Sequence, residues 1–116
     1  MSIILALVAK FPDNVLTEYT DFDGNFLQVT RSFLQKAIKE NKRYTVKYDK
    51  YKYQYISENS LVFLCLSENV SDSVAFAFLK DVQKQLFNKY EYEELIATKA
   101  YQLREFDESL SELIVS

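Results

Sequence analysis

Leu61-Val62-Phe63-Leu64-Cys65-Leu66 is an apolar run without alternation, held between Glu58-Asn59-Ser60 and Ser67-Glu68-Asn69. A run of this length between two polar, turn-forming clusters reads as a strand, and the lack of alternation means that both its faces are dry. Val and Phe suit a pleated surface. The run is therefore predicted to lie at the centre of a sheet, and helices elsewhere in the chain must cover both sides of it.

Residues 3–9 form a second unbroken apolar run and hence a second buried strand, predicted to neighbour the first. Phe11-Pro12-Asp13-Asn14 then supplies turn chemistry, and residues 15–20 return as a strand closer to the sheet edge, more polar at Thr17, Glu18 and Thr20. Residues 42–56 show period two on either side of Asp49-Lys50, which predicts a hairpin. In its first strand Tyr44, Val46 and Tyr48 share one face and Arg43, Thr45 and Lys47 the other. In its second, Tyr51, Tyr53 and Tyr55 alternate with Lys52, Gln54 and Ile56.

The only glycine, Gly24, precedes a helix expected to start at Asn25, with Gln28 completing a capping box, and to run to about residue 39. Its apolar residues Phe26, Leu27, Val29, Phe33, Leu34, Ala37 and Ile38 span about half the circumference, wider than docking on one flat sheet requires. One margin of that arc is thus available for another contact, unless all seven pack on the sheet. Ser71-Asp72-Ser73 opens a second helix over residues 72–88 with the stripe Val74, Ala75, Phe78, Leu79, Val82 and Leu86. Residues 90–101 carry no readable period. A last helix over residues 105–114 places Phe106, Leu110, Leu113 and Ile114 on one side. The expected architecture is one α+β domain over residues 1–116: a five-stranded antiparallel sheet of order 2-1-5-4-3, one helix on one face and two on the other.

Composition narrows function by exclusion. The chain has 116 residues, 14 basic and 17 acidic, for a net charge of −3, so a general polyanion binder is not expected, although a local basic patch is allowed. It has no histidine, the residue most used for acid–base work at neutral pH and the commonest metal ligand. One glycine cannot build a phosphate-cradling loop. No catalytic, metal or cofactor site is expected. The acidic groups Glu91, Glu93, Glu94 and Asp107, Glu108 read as solvated faces, and Cys65 reads as a core hydrophobe in a reducing compartment. The tyrosine and lysine hairpin has the residue types that stack bases and neutralise phosphates, but helices must compete for its aromatic face, so nucleic acid is not expected. Lysines on an outer strand also discourage edge-to-edge aggregation. Residues 3–9 have no basic flank before them and nothing is long enough to span a membrane, which predicts a soluble, cytosolic chain.

Ile-Leu-Ala-Leu-Val-Ala-Lys at residues 4–10, Gly24-Asn25-Phe26-Leu27, Tyr53-Gln54-Tyr55-Ile56, the central strand, Ala75-Phe76-Ala77-Phe78-Leu79 and Arg104-Glu105-Phe106-Asp107 together resemble the longin domain of R-SNARE proteins. Gly-Asn-Phe-Leu is most similar to the tetanus-insensitive vesicle-associated membrane protein branch, within the synaptobrevin-like family. The resemblance implies a profilin-like α-β-α sandwich with no enzymatic activity, which regulates SNARE assembly and sorting in vesicle trafficking and membrane fusion. It also implies a groove between the first helix and the third strand that takes the protein's own SNARE motif, other SNAREs, or sorting adaptors and regulators. The free margin of the helix and the neighbouring strand place Leu27, Leu34, Ile38, Tyr44 and Val46 in that groove. The SNARE heptads and tail anchor of the family do not occur in these residues. The chain is thus expected to be the N-terminal part of a longer R-SNARE on the cytoplasmic face of vesicle, Golgi or endosomal membranes, the alternative being a stand-alone longin subunit of a trafficking complex.

Overall fold

A computed structural model describes residues 2–11, 14–36 and 42–115. Its strands are β1 (Ser2–Lys10), β2 (Asn14–Thr20), β3 (Lys42–Tyr48), β4 (Tyr51–Glu58) and β5 (Leu61–Glu68), and its helices are α1 (Phe26–Leu34), α2 (Asp72–Lys89), α3 (Tyr92–Ala97) and α4 (Phe106–Val115). The strands form one antiparallel sheet of order β2-β1-β5-β4-β3, as expected from the two uninterrupted apolar runs. β5 lies between β1 and β4, with Ala6 opposite Cys65 on one side and Gln54 opposite Cys65 on the other. Every residue from Leu61 to Leu66 is at most 1 % exposed.

Alternation along β5 divides the core in two. Leu61, Phe63 and Cys65 pack with Ala75, Leu79, Val82 and Leu86 of α2, Leu95 of α3, and Phe106 and Leu110 of α4. Val62, Leu64 and Leu66 pack with Leu5 and Leu7 of β1, Tyr53 and Tyr55 of β4, and Leu34 of α1. A register shift between Ile3 and Leu5 sends the consecutive residues Ile4 and Leu5 into this second cluster, as an extra residue in a strand does. The β4–β5 turn has Asn59 at φ 51° and Ser60 at φ 70°, the mirror-image backbone whose twist matches the flanking strands.

Three local expectations are corrected. Asn25 precedes α1 at φ −101° and ψ 27° without a side-chain cap, because the turn is made at Gly24, whose φ is 113°. The segment without a readable period contains α3, whose start is held by a capping box between Glu91 and Glu94, so these carboxylates satisfy backbone amides as well as facing water. Asp107 is no mere solvated exterior group: it accepts from the Thr17 hydroxyl and, at 3.1 Å, from the Glu18 amide. The expected end of the first helix, near residue 39, lies outside the described residues, and α1 is capped at Gln35.

Asp107 belongs to a seam that closes one edge of the sheet. The amide of Tyr101 donates to the Val15 carbonyl at 2.7 Å and that of Leu103 to the Leu16 carbonyl at 3.2 Å, so the segment between α3 and α4 runs along β2. Lys10 ties down the start of this segment and the end of α3 through the carbonyls of Thr98 at 2.8 Å and Ile96 at 2.6 Å. β3, at the opposite edge, pairs with no strand but β4 among the described residues.

Candidate functional site: a trough beside the open sheet edge

β3 and β4 are joined by Asp49-Lys50, with Asp49 at a positive φ of 56°, and residues directly opposite across this hairpin present their side chains on the same face. Tyr44 opposes Tyr55, Val46 opposes Tyr53 and Tyr48 opposes Tyr51, which makes an aromatic surface on the side that α1 covers. α1 reaches only part of it. Phe33 stacks on Tyr53, ring centroids 4.3 Å apart and planes within 7°, and meets Tyr55 edge-on at 5.7 Å. Phe26 meets Tyr51 edge-on at 5.5 Å. The outer rim, Val46 at 38 % and Tyr48 at 40 % exposure, is left open to solvent.

The space between is an apolar trough of about 230 Å³, with Val29, Ser32, Phe33 and Lys36 on the helical side, Val46, Lys47 and Tyr48 on the strand side, and Tyr53 at the floor. The floor is fixed by a buried hydrogen bond of 2.8 Å between the Thr30 and Tyr53 hydroxyls. Burial pushes the Tyr53 phenol above its ordinary value, against the opposing effect of that bond. Apolar walls around a hydrogen-bonded floor suit the capture of side chains. Among the described residues no cluster of histidine, cysteine, aspartate or glutamate is arranged to hold a metal ion. Tyr53 and Tyr55 are 1 % and 2 % exposed, so these two rings are covered and the outer rim alone is accessible.

Of the five residues expected in a groove, Val46 lines this trough. Tyr44 is half-buried beside it and stacks on Tyr55 at 4.9 Å. Leu34 is 1 % exposed within the core and Leu27 packs against the same cluster, while Ile38 lies outside the described residues. The centre of the buried stripe is Thr30, with Phe33 and Val29 to one side of it and Leu34 and Leu27 to the other at 100° per residue. It is the Val29 and Phe33 margin that turns toward β3. Counting apolar residues alone skips the buried threonine at the pivot. The choice between margins depends on how the chain crosses the sheet, which no local pattern encodes.

The longin family model, described as a regulated-SNARE-like domain, matches residues 16–110. The chain belongs to the longin family. Vesicle-associated membrane protein 7 of Mus musculus is 34% identical over 91 residues, covering 78% of this chain and 41% of that protein. Vesicle-associated membrane protein 7B of Dictyostelium discoideum is 33% identical over 78% of the chain and 35% of its own length. Vesicle-associated membrane protein 725 of Arabidopsis thaliana is 32% identical over 84% of the chain and again 35% of its own length. The longin chain thus spans well under half the length of these curated relatives, and the sheet order places its trough between α1 and the outermost strand. No helix among the described residues is long and apolar enough to cross a membrane.

Proposed function

We propose that this longin domain is a non-enzymatic regulator of an R-SNARE. In this reading it controls SNARE assembly and sorting in vesicle trafficking by holding the SNARE motif of the longer protein, another SNARE or a sorting adaptor in the trough between α1 and β3. The observation that carries the proposal is the pairing of an apolar trough with a sheet edge on which, among the described residues, no further strand lies. A helix margin offers apolar contacts and an edge strand offers backbone hydrogen bonds, the two recurrent means of capturing a peptide. The likeness to vesicle-associated membrane proteins supports the trafficking setting and a location on the cytoplasmic face of vesicle, Golgi or endosomal membranes.

The test titrates the 116-residue chain with a peptide of a relative's SNARE motif and compares it with Tyr44→Ser/Val46→Ser and with Val29→Asp. Loss of binding with the melting temperature retained supports capture in the trough. Unchanged affinity in both variants refutes it.

A further inference from the structure

The two faces of β3 differ in chemistry. Tyr44, Val46 and Tyr48 face the α1 side, whereas Arg43, Thr45 and Lys47 face the α2 side, where all three are exposed. Arg43 lies over the Phe76 ring of α2, 5.5 Å from its centroid, and lines one shallow depression with Ser73, Ala77 and the exposed Lys80. Of the nearby carboxylates, Asp72 binds Gln54 at 3.1 Å and Lys52 at 3.2 Å and Glu68 pairs with Lys50 at 3.4 Å, whereas Glu58, held at 3.2 Å by the neutral Gln83 amide, keeps its charge beside Arg43 and Lys80. The Gln54 amide first, then Lys52, hold the Asp72 carboxyl below its usual range. Among the described residues, Arg43, Lys47 and Lys80 take part in none of the ion pairs. A protein of net charge −3 therefore carries an excess of positive charge along this edge, with Arg43, Lys47 and Lys80 outnumbering Glu58 among the described residues.

The ladder fixes which backbone groups this edge offers. Two-residue turns place Tyr48 opposite Tyr51 and Glu58 opposite Leu61, and the residues flanking such turns exchange both hydrogen bonds. Alternation then turns the amides and carbonyls of Tyr44, Val46 and Tyr48 toward β4, and those of Arg43, Thr45 and Lys47 outward. An incoming strand bonds to these outward groups, and its side chains opposite Arg43 and Lys47 fall on their face. A second copy of the chain is disfavoured there, because antiparallel self-pairing centred on Thr45 brings Arg43 against Lys47.

We infer that the open edge of β3 takes an extended peptide segment in which acidic residues alternate with apolar ones, the acids facing Arg43, Lys47 and Lys80 and the apolar side chains entering the trough beside Val46 and Tyr48. The inference rests on the trough being a capture site and names the chemistry of what is captured. Lysine at an edge strand otherwise only repels other edges. Here it also selects a partner by charge.

The probe is a peptide of about seven residues, ordinary strand length, alternating glutamate with leucine or valine, compared with versions carrying threonine or lysine in place of glutamate. The expected result is slowed hydrogen exchange at the amides of Arg43, Thr45 and Lys47, with the acidic peptide about fivefold tighter than the threonine version, as two exposed ion pairs give. In Arg43→Glu/Lys47→Glu the preference passes to the lysine peptide. Equal affinity of the acidic and threonine peptides overturns the proposal. So does a response confined to Val29 and Phe33 with the edge amides still exchanging, which leaves trough capture standing without strand addition. Failure of all three peptides, with phosphatidylserine vesicles retaining the protein and the charge-reversed variant released, assigns the basic face to a membrane and likewise overturns it. SNARE-motif binding, measured in parallel on Tyr44→Ser/Val46→Ser, reports separately on the wider reading.

Discussion

Cys65 shows how far burial alone sets a residue's behaviour. It is fully buried in β5 and its thiol is pushed from an ordinary 9.0 up to about 12, by desolvation first and against a weaker effect of Gln54. A thiol reagent is expected to label Cys65 only as fast as the protein unfolds, which comparing the labelling rate with the unfolding rate checks. The pH dependence follows in sign: the folded state holds this proton more tightly than the unfolded chain, so the contribution is complete below pH 9.0 and fades as pH rises toward about 12. The Tyr90 phenol, pushed from 10.0 to about 12 by desolvation and then by its hydrogen bond to Glu105, acts in the same direction. Denaturant midpoints taken from pH 8 to 11 are expected to fall, and Cys65→Ala is expected to flatten the part that begins near 9.0. Phe63, also fully buried, packs from the same strand against α2, where it meets Phe87 at 5.9 Å, and Phe63→Ala is expected to cost about 3 to 5 kcal/mol in equilibrium unfolding.

At the scale of elements, α2 is capped by the Ser71 side chain, which accepts from the Val74 amide at 3.2 Å, so Ser71→Ala is expected to lower stability by about 1 kcal/mol in denaturant titration. The trough allows a population estimate too. If the captured segment belongs to the same polypeptide, an effective concentration of about 1 mM keeps it bound about 90 per cent of the time at a Kd of roughly 0.1 mM. Losing a hot spot worth about 2 kcal/mol in Tyr44→Ser/Val46→Ser lowers that to about a quarter, a change readable by fluorescence transfer between domain and segment. What the sequence makes legible here follows from periodicity. β1 and β5 stand out as unbroken runs and β3 and β4 as alternating ones, and those patterns fix the sheet order. α3 is hidden because its cap is a glutamate among other acidic residues and its one fully buried side chain is Leu95. The same blindness to buried polar groups affects the site: Thr30, Gln54 and Ser67 are all 0 % exposed because each has found a hydrogen-bond partner, and pairings of that kind leave no trace in an apolar count.

On the scale of the whole molecule, the two sheet edges are unlike. β2 is sewn to Tyr101 and Leu103 of the segment before α4 and to Asp107 of α4, while β3 pairs with no strand but β4 among the described residues and carries charge. Asp107→Ala is expected to speed exchange at the Glu18 amide and to lower stability by about 1 to 3 kcal/mol, since it strands the partners of a part-buried carboxylate. Sedimentation is expected to find the chain monomeric as its concentration rises, with concentration-dependent association appearing when Asp107→Ala is combined with Arg43→Thr and Lys47→Thr. Polymer chemistry supplies the reason. A unit with two reactive ends grows without limit, but a unit with one is a chain stopper, and here that one end repels its own kind. Whatever strand joins this sheet can enter only along β3, so growth is confined to one side, and the edge presented next is the newcomer's own.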